Sequence, residues 1–527
     1  MGRDIWRYRR GLGASFKILS CHDRFTQTRA FGTAQVEERV HVEQERVHVE
    51  QVKFDNSKWR AFNSSYLGVQ RSMITASTWA VLTILRDSGS DVYLVGGCVR
   101  DLLLKKIPKD FDIVTNADPV QIIKRFRRCH LVGKRFPVCL VQTRGSIVEV
   151  ASFGTLEKFG KRELRSFPQR PPYCSHADYV RWKDCMRRDF TINGLMYDPF
   201  ANRIYDYTGG MEDIKMAKVR TVMSAHTSFE EDCARILRAF RVAGRLGFEF
   251  TSDTACAIED LSRSILKLHK ARLMMEMHYM LAYGSAEATL CLLKEYGVLE
   301  TLLPVQAAYL SSQGFKRHEK GCYSQSNMLL TLLSNLDKLL ASDRPCDSSL
   351  WLGLLAFHST LVNMPQDALV VTTFSFYLYY GGYLQKAMDS ARKIFQVAKK
   401  FSPEIVEADE SKTDVLLANE VLNLASAARS SLVSMVDNKV PSTATSENPQ
   451  LHGSNVDFIS KTTHAKVKKI FCVLEDNDEG TWKTRTCLDI NYKLLGSGVI
   501  QEVRYAFVKT VLDTLYADTV DAFNLPN

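Results

Sequence analysis

The spacing of apolar positions changes along this chain, and each change marks an element. From Ser72 to Arg86, Ile74, Trp79, Leu82 and Leu85 recur at helical spacing, which predicts an amphipathic helix. Tyr93-Leu-Val-Gly-Gly follows. It predicts a short apolar strand closed by a glycine turn, then one turn of helix and a second strand beginning at Phe111. Asp118-Pro119 supplies an N-cap and a first helical position for a helix through Arg128. Ser146-Ile-Val-Glu-Val-Ala-Ser-Phe153 predicts another strand. Strands and helices in alternation predict a mixed α/β unit. Residues 155–183 break the pattern, with Lys158, Lys161, Arg162, Arg165, Arg170 and Arg181 among prolines and aromatics, and read as a lid-length loop. A strand and glycine turn return at Ile204–Ile214, more structural than catalytic. Ser228 and Glu231 then form a capping-box pattern that predicts a helix start. In that helix Arg235, Arg238, Arg241 and Arg245 fall at spacings of 3, 3 and 4 on one face, with Ile236, Leu237, Phe240 and Ala243 opposite and Val242 out of place. From Ser262 onward Leu, Met, Ala and Lys at helical spacing predict an all-α half. A Pro/Ser/Thr/Asn linker at Asn438–Asn455 interrupts it, and a last helix lies near Gly498–Ala517.

Composition narrows this reading. A chain of 527 residues suggests roughly two to four domains. Hydrophobic residues at 45% and charged residues at 24% are ordinary for a globular protein, and no apolar run is long enough to predict a membrane span. The net charge of +10 leans towards an acidic partner such as nucleic acid. Thirteen cysteines with no C-x-x-C spacing argue against a zinc module or disulfide scaffold, and for a reducing compartment. Arg3, Arg7, Arg9, Arg10, Arg24 and Arg29 are opposed only by Asp4 and Asp23, which makes residues 1–34 an organelle presequence, mitochondrial or chloroplast. A basic tail that touches RNA is the rival, and with it a cytoplasmic or nuclear location. Residues 38–51 repeat Glu-Arg-Val-His-Val-Glu-Gln. His41 and His48 have no companion ligands there, so the repeat reads as a tandem duplication in a linker.

The candidate chemistry begins at the glycine turn. Gly96 and Gly97 carry no Cβ, so the backbone there can approach a bulky anion. Arg100 and the N–H groups of the next helix suit a phosphate. Asp110 and Asp112, two apart on a strand, share one face. Paired carboxylates repel unless a cation separates them, and hard oxygen ligands suit Mg²⁺. Glu149 is costly to bury alone among β-branched neighbours and is expected at the same metal site. A Gly-Gly turn or an Asp-x-Asp is common in isolation; their order and spacing make the pair a phosphate cradle beside metal-binding carboxylates, the kit for nucleotidyl transfer. In Cys185-Met-Arg-Arg-Asp-Phe-Thr-Ile-Asn193, Arg188 is assigned to triphosphate. Asp189 and Asn193, at i and i+4 on a helix face, are assigned to sugar hydroxyls or loop architecture. Asp232 and Arg235 could accept from the exocyclic amine and donate to the ring nitrogen of adenine or cytosine, and reject guanine and uracil. The bland alternative for that pair is an exposed salt bridge.

Together these motifs resemble the class II tRNA nucleotidyltransferase and bacterial-type poly(A) polymerase family, over roughly Tyr93 to Phe250. The matching runs are Leu-Val-Gly-Gly-x-Val-Arg-Asp, Lys-Asp-Phe-Asp, Arg-Arg-Asp-Phe-Thr-Ile-Asn, Tyr-Thr-Gly-Gly-Met-x-Asp and Glu-Asp-x-x-Arg-x-Leu-Arg-Ala-x-Arg. The resemblance implies an α/β polymerase-β-like nucleotidyltransferase head followed by all-α neck, body and tail domains. It also implies two Mg²⁺ ions on Asp110 and Asp112 with Glu149 as third carboxylate, and ATP or CTP read by Asp232 and Arg235 with Arg238 and Arg241 nearby. Residues 1–34 would then be targeting segment, 35–71 linker, 72–215 head, 216–275 neck, 276–437 body, 438–463 linker and 464–527 tail. The tail, with its Lys-rich run after His464, either grips RNA or only packs.

Both branches of the family act on RNA 3′ ends, one on mRNA or other RNA with ATP, the other on tRNA with CTP and ATP. Gly133-Lys-Arg-Phe is similar to the Gly-Arg-Arg-Phe stretch of bacterial poly(A) polymerases, so adenylyl transfer is the expectation and CCA addition the alternative. A catalytically silent RNA-binding relative is the reading from another class, and the intact motifs argue against it. Protein partners are not legible. Two departures from the pattern stand out: Lys105 where a glycine usually closes the first loop, and Cys233 in place of a proline.

Overall fold

A computed structural model describes residues 50–133, 137–144, 146–153, 165–303, 307–308, 311, 328–341, 344–394, 401, 403–406, 411–436, 461–473 and 489–516. The segment 1–34 expected to be a presequence, the heptapeptide repeat to residue 49, the Lys-Arg-Phe run at 134–136, most of the basic loop and the expected linker at 438–460 lie outside these residues. No helix among the described residues is long and apolar enough to cross a membrane.

The head is built on one eight-stranded sheet. Its strands are β1 (Arg60–Asn63), β2 (Val92–Val95), β3 (Asp112–Thr115), β4 (Cys129–Val132), β5 (Val138–Gln142), β6 (Ile147–Ser152), β7 (Met196–Asp198) and β8 (Arg203–Asp206). Their spatial order is β1-β8-β7-β2-β3-β6-β5-β4, antiparallel throughout except for the parallel pair β3/β6. All four residues of β2 are buried, because both faces of the sheet are covered. On one face Leu94, Ile113 and Val150 pack beneath α1 (Ala76–Asp87), α2 (Gly97–Leu103) and α3 (Pro119–Arg125), which contribute Leu82, Leu102 and Ile122. On the other, Tyr93, Val95 and Val114 meet Trp182 and Cys185 of α4 (His176–Met186).

Three sequence expectations change here. First, residues 50–71 are not a linker: β1 closes one edge of the sheet against β8, and Phe54 and Trp59 meet Trp182 and Tyr207 edge-on. A four-residue edge strand is too short to show a period. Second, the end of the 155–183 loop is α4, capped by Ser175, whose hydroxyl accepts from the Asp178 N–H. Its Arg181 made it read as polar. That guanidinium is in fact buried, donating to Tyr207 Oη (2.7 Å), Tyr93 Oη (2.9 Å) and Asp178, and it pins the helix to the sheet. Third, α3 stops at Arg125 and the chain turns into β4. The Asp118/Gln121 capping box starts it where the sequence predicts.

Asp206 caps the helix α5 (Gly210–Lys215) by accepting from the N–H groups of Thr208, Gly209, Gly210 and Met211. That supports the structural reading of the Tyr-Thr-Gly-Gly run. A Cβ on Gly210 would lie 2.3 Å from the Thr191 carbonyl oxygen. Gly210→Ala is therefore expected to cost about 1–3 kcal/mol through overpacking, measurable by urea unfolding. Lys105 takes φ +57, the left-handed conformation a glycine would supply, and its ammonium holds that turn by donating to the Leu67 and Gly68 carbonyls at 2.7 Å each.

Beyond the sheet come α6 (Ala225–Glu231), α7 (Ala234–Leu246), α8 (Ser252–Leu261) and α9 (Lys270–Leu281). Further helices follow, among them Ser349–Asn363, Ala368–Tyr379, Asp414–Val436, Lys461–Phe471 and Ile500–Leu515. The all-α expectation holds, but neck, body and tail share one core. A single cluster runs from Phe190 through Phe240, Phe357 and Phe374 to Phe507 and Tyr516. The last helix packs on Met328–Leu339 and Ala368–Tyr379, so residues on both sides of the linker belong to one unit.

Candidate active site

The site forms where the glycine turn, the start of β3 and the arginine face of α7 meet. They enclose a cavity of about 340 Å³, within the range of ligand pockets. Gly96 ends β2 with φ +77. A Cβ there would only touch Arg188 Nη1 at 3.4 Å and Asp112 Oδ2 at 3.6 Å, so it is the positive φ that calls for glycine beside these two charged groups. Gly97 opens α2 and also lines the cavity. Arg100 lines it too, but its guanidinium is committed. Nε and Nη2 donate to Asp101 Oδ1 at 2.9 and 2.7 Å, and Nη1 donates to Asn193 Oδ1 at 2.6 Å.

Asp110, Asp112 and Glu149 all line the cavity. Asp112 begins β3, and Glu149 of β6 is its partner in the parallel ladder. Asp110 lies just before the strand, so it reaches the cavity from a loop and not by the two-residue period the sequence predicts. Desolvation, then the charges of Asp110 and Glu149, push the Asp112 pKa up to about 7. Glu149 is also raised, by desolvation first and by Asp110 second.

Among the described residues no three His, Cys, Asp or Glu side chains gather tightly enough to form a ready metal cage. The donor chemistry nevertheless fits a hard divalent cation, because Asp110, Asp112 and Glu149 line one cavity and their charges hold the pKa values of Asp112 and Glu149 up. The folded-state pKa of Asp112 exceeds its ordinary value of 3.8, so its ionisation destabilises the metal-free fold as pH rises between about 4 and 7. Asp112→Asn removes that term. The variant is expected to melt higher than the wild type in EDTA at pH 8, with the gap closing near pH 4. Thermal unfolding at the two pH values checks this.

Arg188 accompanies the carboxylates. Burial works against its charge, but Asp184 holds it cationic through bonds of 2.8 and 3.1 Å to Nη2 and Nε. Asp189 and Asn193 meet as expected, Asn193 Nδ2 donating to Asp189 Oδ1 at 3.0 Å, though not on an α-helix. They flank Phe190 and a 3₁₀ turn, Thr191–Asn193, whose tighter winding brings them together. Asp189 stays well ionised although burial opposes it, chiefly because Arg238 is 3.5 Å away.

The arginine face of α7 forms a further wall. Arg238, Arg241, Val242 and Arg245 line the cavity, while Ile236, Leu237, Phe240 and Ala243 are buried behind them. Val242, out of place in the pattern, is a lining residue. Each of the three arginines faces a carboxylate from a different element: Asp189 for Arg238, Glu276 of α9 at 2.8 Å for Arg241, and Asp101 of α2 at 3.4 Å for Arg245.

The base-reading pair is arranged differently from the sequence expectation. Ser228 and Glu231 do not start the arginine helix. Ser228 lies inside α6, Asp232 ends it in extended conformation, and α7 begins afresh at Ala234. Cys233 takes φ −63, a value proline would also adopt. Arg235 Nη1 donates to Ser228 and to Glu231 Oε2 (2.8 Å), not to Asp232. Neither Asp232 nor Arg235 lines the cavity, although Arg238 senses the charge of the first and Asp189 that of the second. A helix break leaves no mark in hydrophobic period, which explains the miss.

Lys109, Asp101, Tyr279 and Tyr283 also line the cavity and were not among the sequence candidates. The tyrosines sit at i and i+4 in and just after α9, a spacing that reads as core in sequence.

Two family models match the chain. One is described as the poly A polymerase head domain and covers residues 92–220; the other, a probable RNA and SrmB-binding site of polymerase A, covers 247–310. The chain is similar to poly(A) polymerase I of Salmonella typhimurium, at 31% identity over 341 residues spanning 63% of this chain and 71% of that protein. It is similar to the CCA-adding enzyme of Geobacillus stearothermophilus, at 34% identity over 224 residues, 42% of this chain and 53% of that one. Among solved structures it is similar to the CCA-adding enzyme of Bacillus stearothermophilus in complex with CTP. Identity there is 22%, the match covers 75% of this chain and 91% of that one, and the TM-score is 0.41.

Proposed function

The chain belongs to the class II tRNA nucleotidyltransferase and bacterial-type poly(A) polymerase family, and we propose that it adds AMP residues from ATP to RNA 3′ ends without a template. The observation that carries this is one cavity in which Gly96, Gly97 and Arg188 face Asp110, Asp112 and Glu149. Gly96 keeps the backbone bare beside a half-buried guanidinium, which suits a triphosphate. Arg188, held cationic by Asp184, binds and orients the phosphates. Asn193 is oriented on both sides, accepting from Arg100 and donating to Asp189, and so presents one fixed amide edge to the sugar. Arg238 and Arg241, each already facing a carboxylate, add positive charge to the wall beside the nucleotide. Asp232 and Arg235 read the base after Arg235 leaves Glu231.

Asp110 and Asp112, with Glu149, would hold two Mg²⁺ ions, whose chemistry when bound is to acidify the RNA 3′-hydroxyl and neutralise charge on pyrophosphate. Ionised carboxylates are needed for that, so protons compete with the metal for Asp112 and transfer falls as the pH is lowered.

Adenylyl transfer is favoured over CCA addition by the longer match to a poly(A) polymerase I, 71% of that relative against 53% of the CCA-adding enzyme. The Gly-Lys-Arg-Phe run points the same way. Primer extension tests the choice, using the purified full chain, tRNA ending before CCA, unrelated oligo(A), and ATP, CTP or both. Long ladders on both RNAs with ATP alone support the proposal. A short addition confined to tRNA and needing both nucleotides replaces it with the CCA reading.

A further inference from the structure

Lys109 sits between two unlike partners. Its ammonium is 3.7 Å from Asp110 Oδ2, and it stands 4.2 Å from the ring centroid of Tyr279 and 5.2 Å from that of Tyr283. The two rings, with centroids 5.7 Å apart, form a ledge at the end of α9, inside the same cavity as the carboxylates. A lysine over an aromatic face is held by the ring quadrupole. Lys109 therefore touches a carboxylate and an aromatic face at once, and can give up the first while keeping the second. Its side chain is only 30% exposed, so it is not a freely solvated lysine.

Resting on the function proposed above, we propose that Lys109 is a placeholder cation. It neutralises the Asp110 side of the carboxylate cluster before a divalent ion binds, and when the ion arrives it gives up Asp110 and is held by the Tyr279/Tyr283 ledge alone. Lys109 is then a positioning residue. It keeps mutually repelling carboxylates together in the empty enzyme, and it links metal loading in the head to helix α9 of the neck. A second cation so close to the ligands must compete with the metal for them. Lys106, three residues earlier, is the natural contrast: its ammonium donates to the Arg245 carbonyl at 3.3 Å and does not line the cavity.

Titration of the full-length protein with Mn²⁺ alone, followed by the electron paramagnetic resonance of the free ion, tests this without requiring turnover. Lys109→Met keeps the stem and removes the charge. It is expected to bind Mn²⁺ about two- to fivefold more tightly than the wild type, the range that follows from losing an exposed ion pair. Lys106→Met should match the wild type, which separates a specific competitor from general loss of positive charge. Tyr279→Leu should weaken binding because the displaced ammonium loses its seat, and Tyr279→Phe should not. Unchanged or weaker binding in Lys109→Met, while Asp112→Asn still removes the site, overturns the placeholder alone. Retention of binding in Asp112→Asn overturns the carboxylate reading as well.

Discussion

Asp112→Asn protein is expected to transfer nucleotide at least about a thousandfold more slowly than the wild type, several kcal/mol of lost transition-state stabilisation, while RNA affinity stays unchanged. The two effects separate because of where Asp112 lies. It faces the cavity beside Asp110 and opposite Glu149 in the ladder, where it would hold metal and not RNA backbone. The substitution keeps shape and removes only the charge. Arg188 lines the same cavity and would retain its Asp184 partner, so the phosphate side survives. Single-turnover extension of oligo(A) with ATP measures the first effect, and binding at fixed salt the second, since phosphate contacts vary steeply with ionic strength. Transfer within tenfold of wild type would remove Asp112 from the mechanism. The same variant is expected to be the more stable one in EDTA at pH 8. Its native carboxylate strains the empty fold, as expected of a group kept for function.

Phe240→Ala is expected to lose about 3–5 kcal/mol of stability, the largest effect of a single truncation named for this protein. Phe240 is fully buried on α7, with Phe250 at 5.4 Å and Tyr296 at 5.9 Å between ring centroids, both edge-on. It lies on the opposite side of the helix from Arg238, Arg241 and Arg245, so the cavity it leaves is behind the arginine wall and not in it. Urea unfolding followed by circular dichroism gives the loss directly. A cost under about 1 kcal/mol would mean that the neighbouring rings close the gap. Near the midpoint of stability, transfer should fall in proportion to unfolded protein, and not through a change in nucleotide affinity.

Much of the head was legible because its elements announce themselves over short distances. The run Tyr93–Gly97 is a buried strand meeting a turn that only glycine fits, and Asp118-Pro119 starts a helix by local hydrogen bonds. The α7 arginine stripe has a period of its own, and even the misfit Val242 pointed to the cavity. Errors arose where local pattern was silent or misleading. Arg181 looked like loop chemistry and is the buried pin of α4. Ser228 and Glu231 looked like a cap and belong to a helix that ends at Glu231.

The sequence by itself determined which groups can do chemistry: two glycines without Cβ atoms, three carboxylates, Arg188, and an amphipathic arginine helix. Those are properties of residue type and short spacing, and they survive whatever surrounds them. Tertiary structure decided which of these groups meet. It set Glu149 against Asp112 through strand register, brought Asn193 to Arg100 across 93 residues, and turned Arg235 to Glu231. It also carried Lys109 to Tyr279 and Tyr283 on α9. Contacts of that kind depend on how separate elements pack, and packing is set by the whole core at once, so no window of sequence contains them.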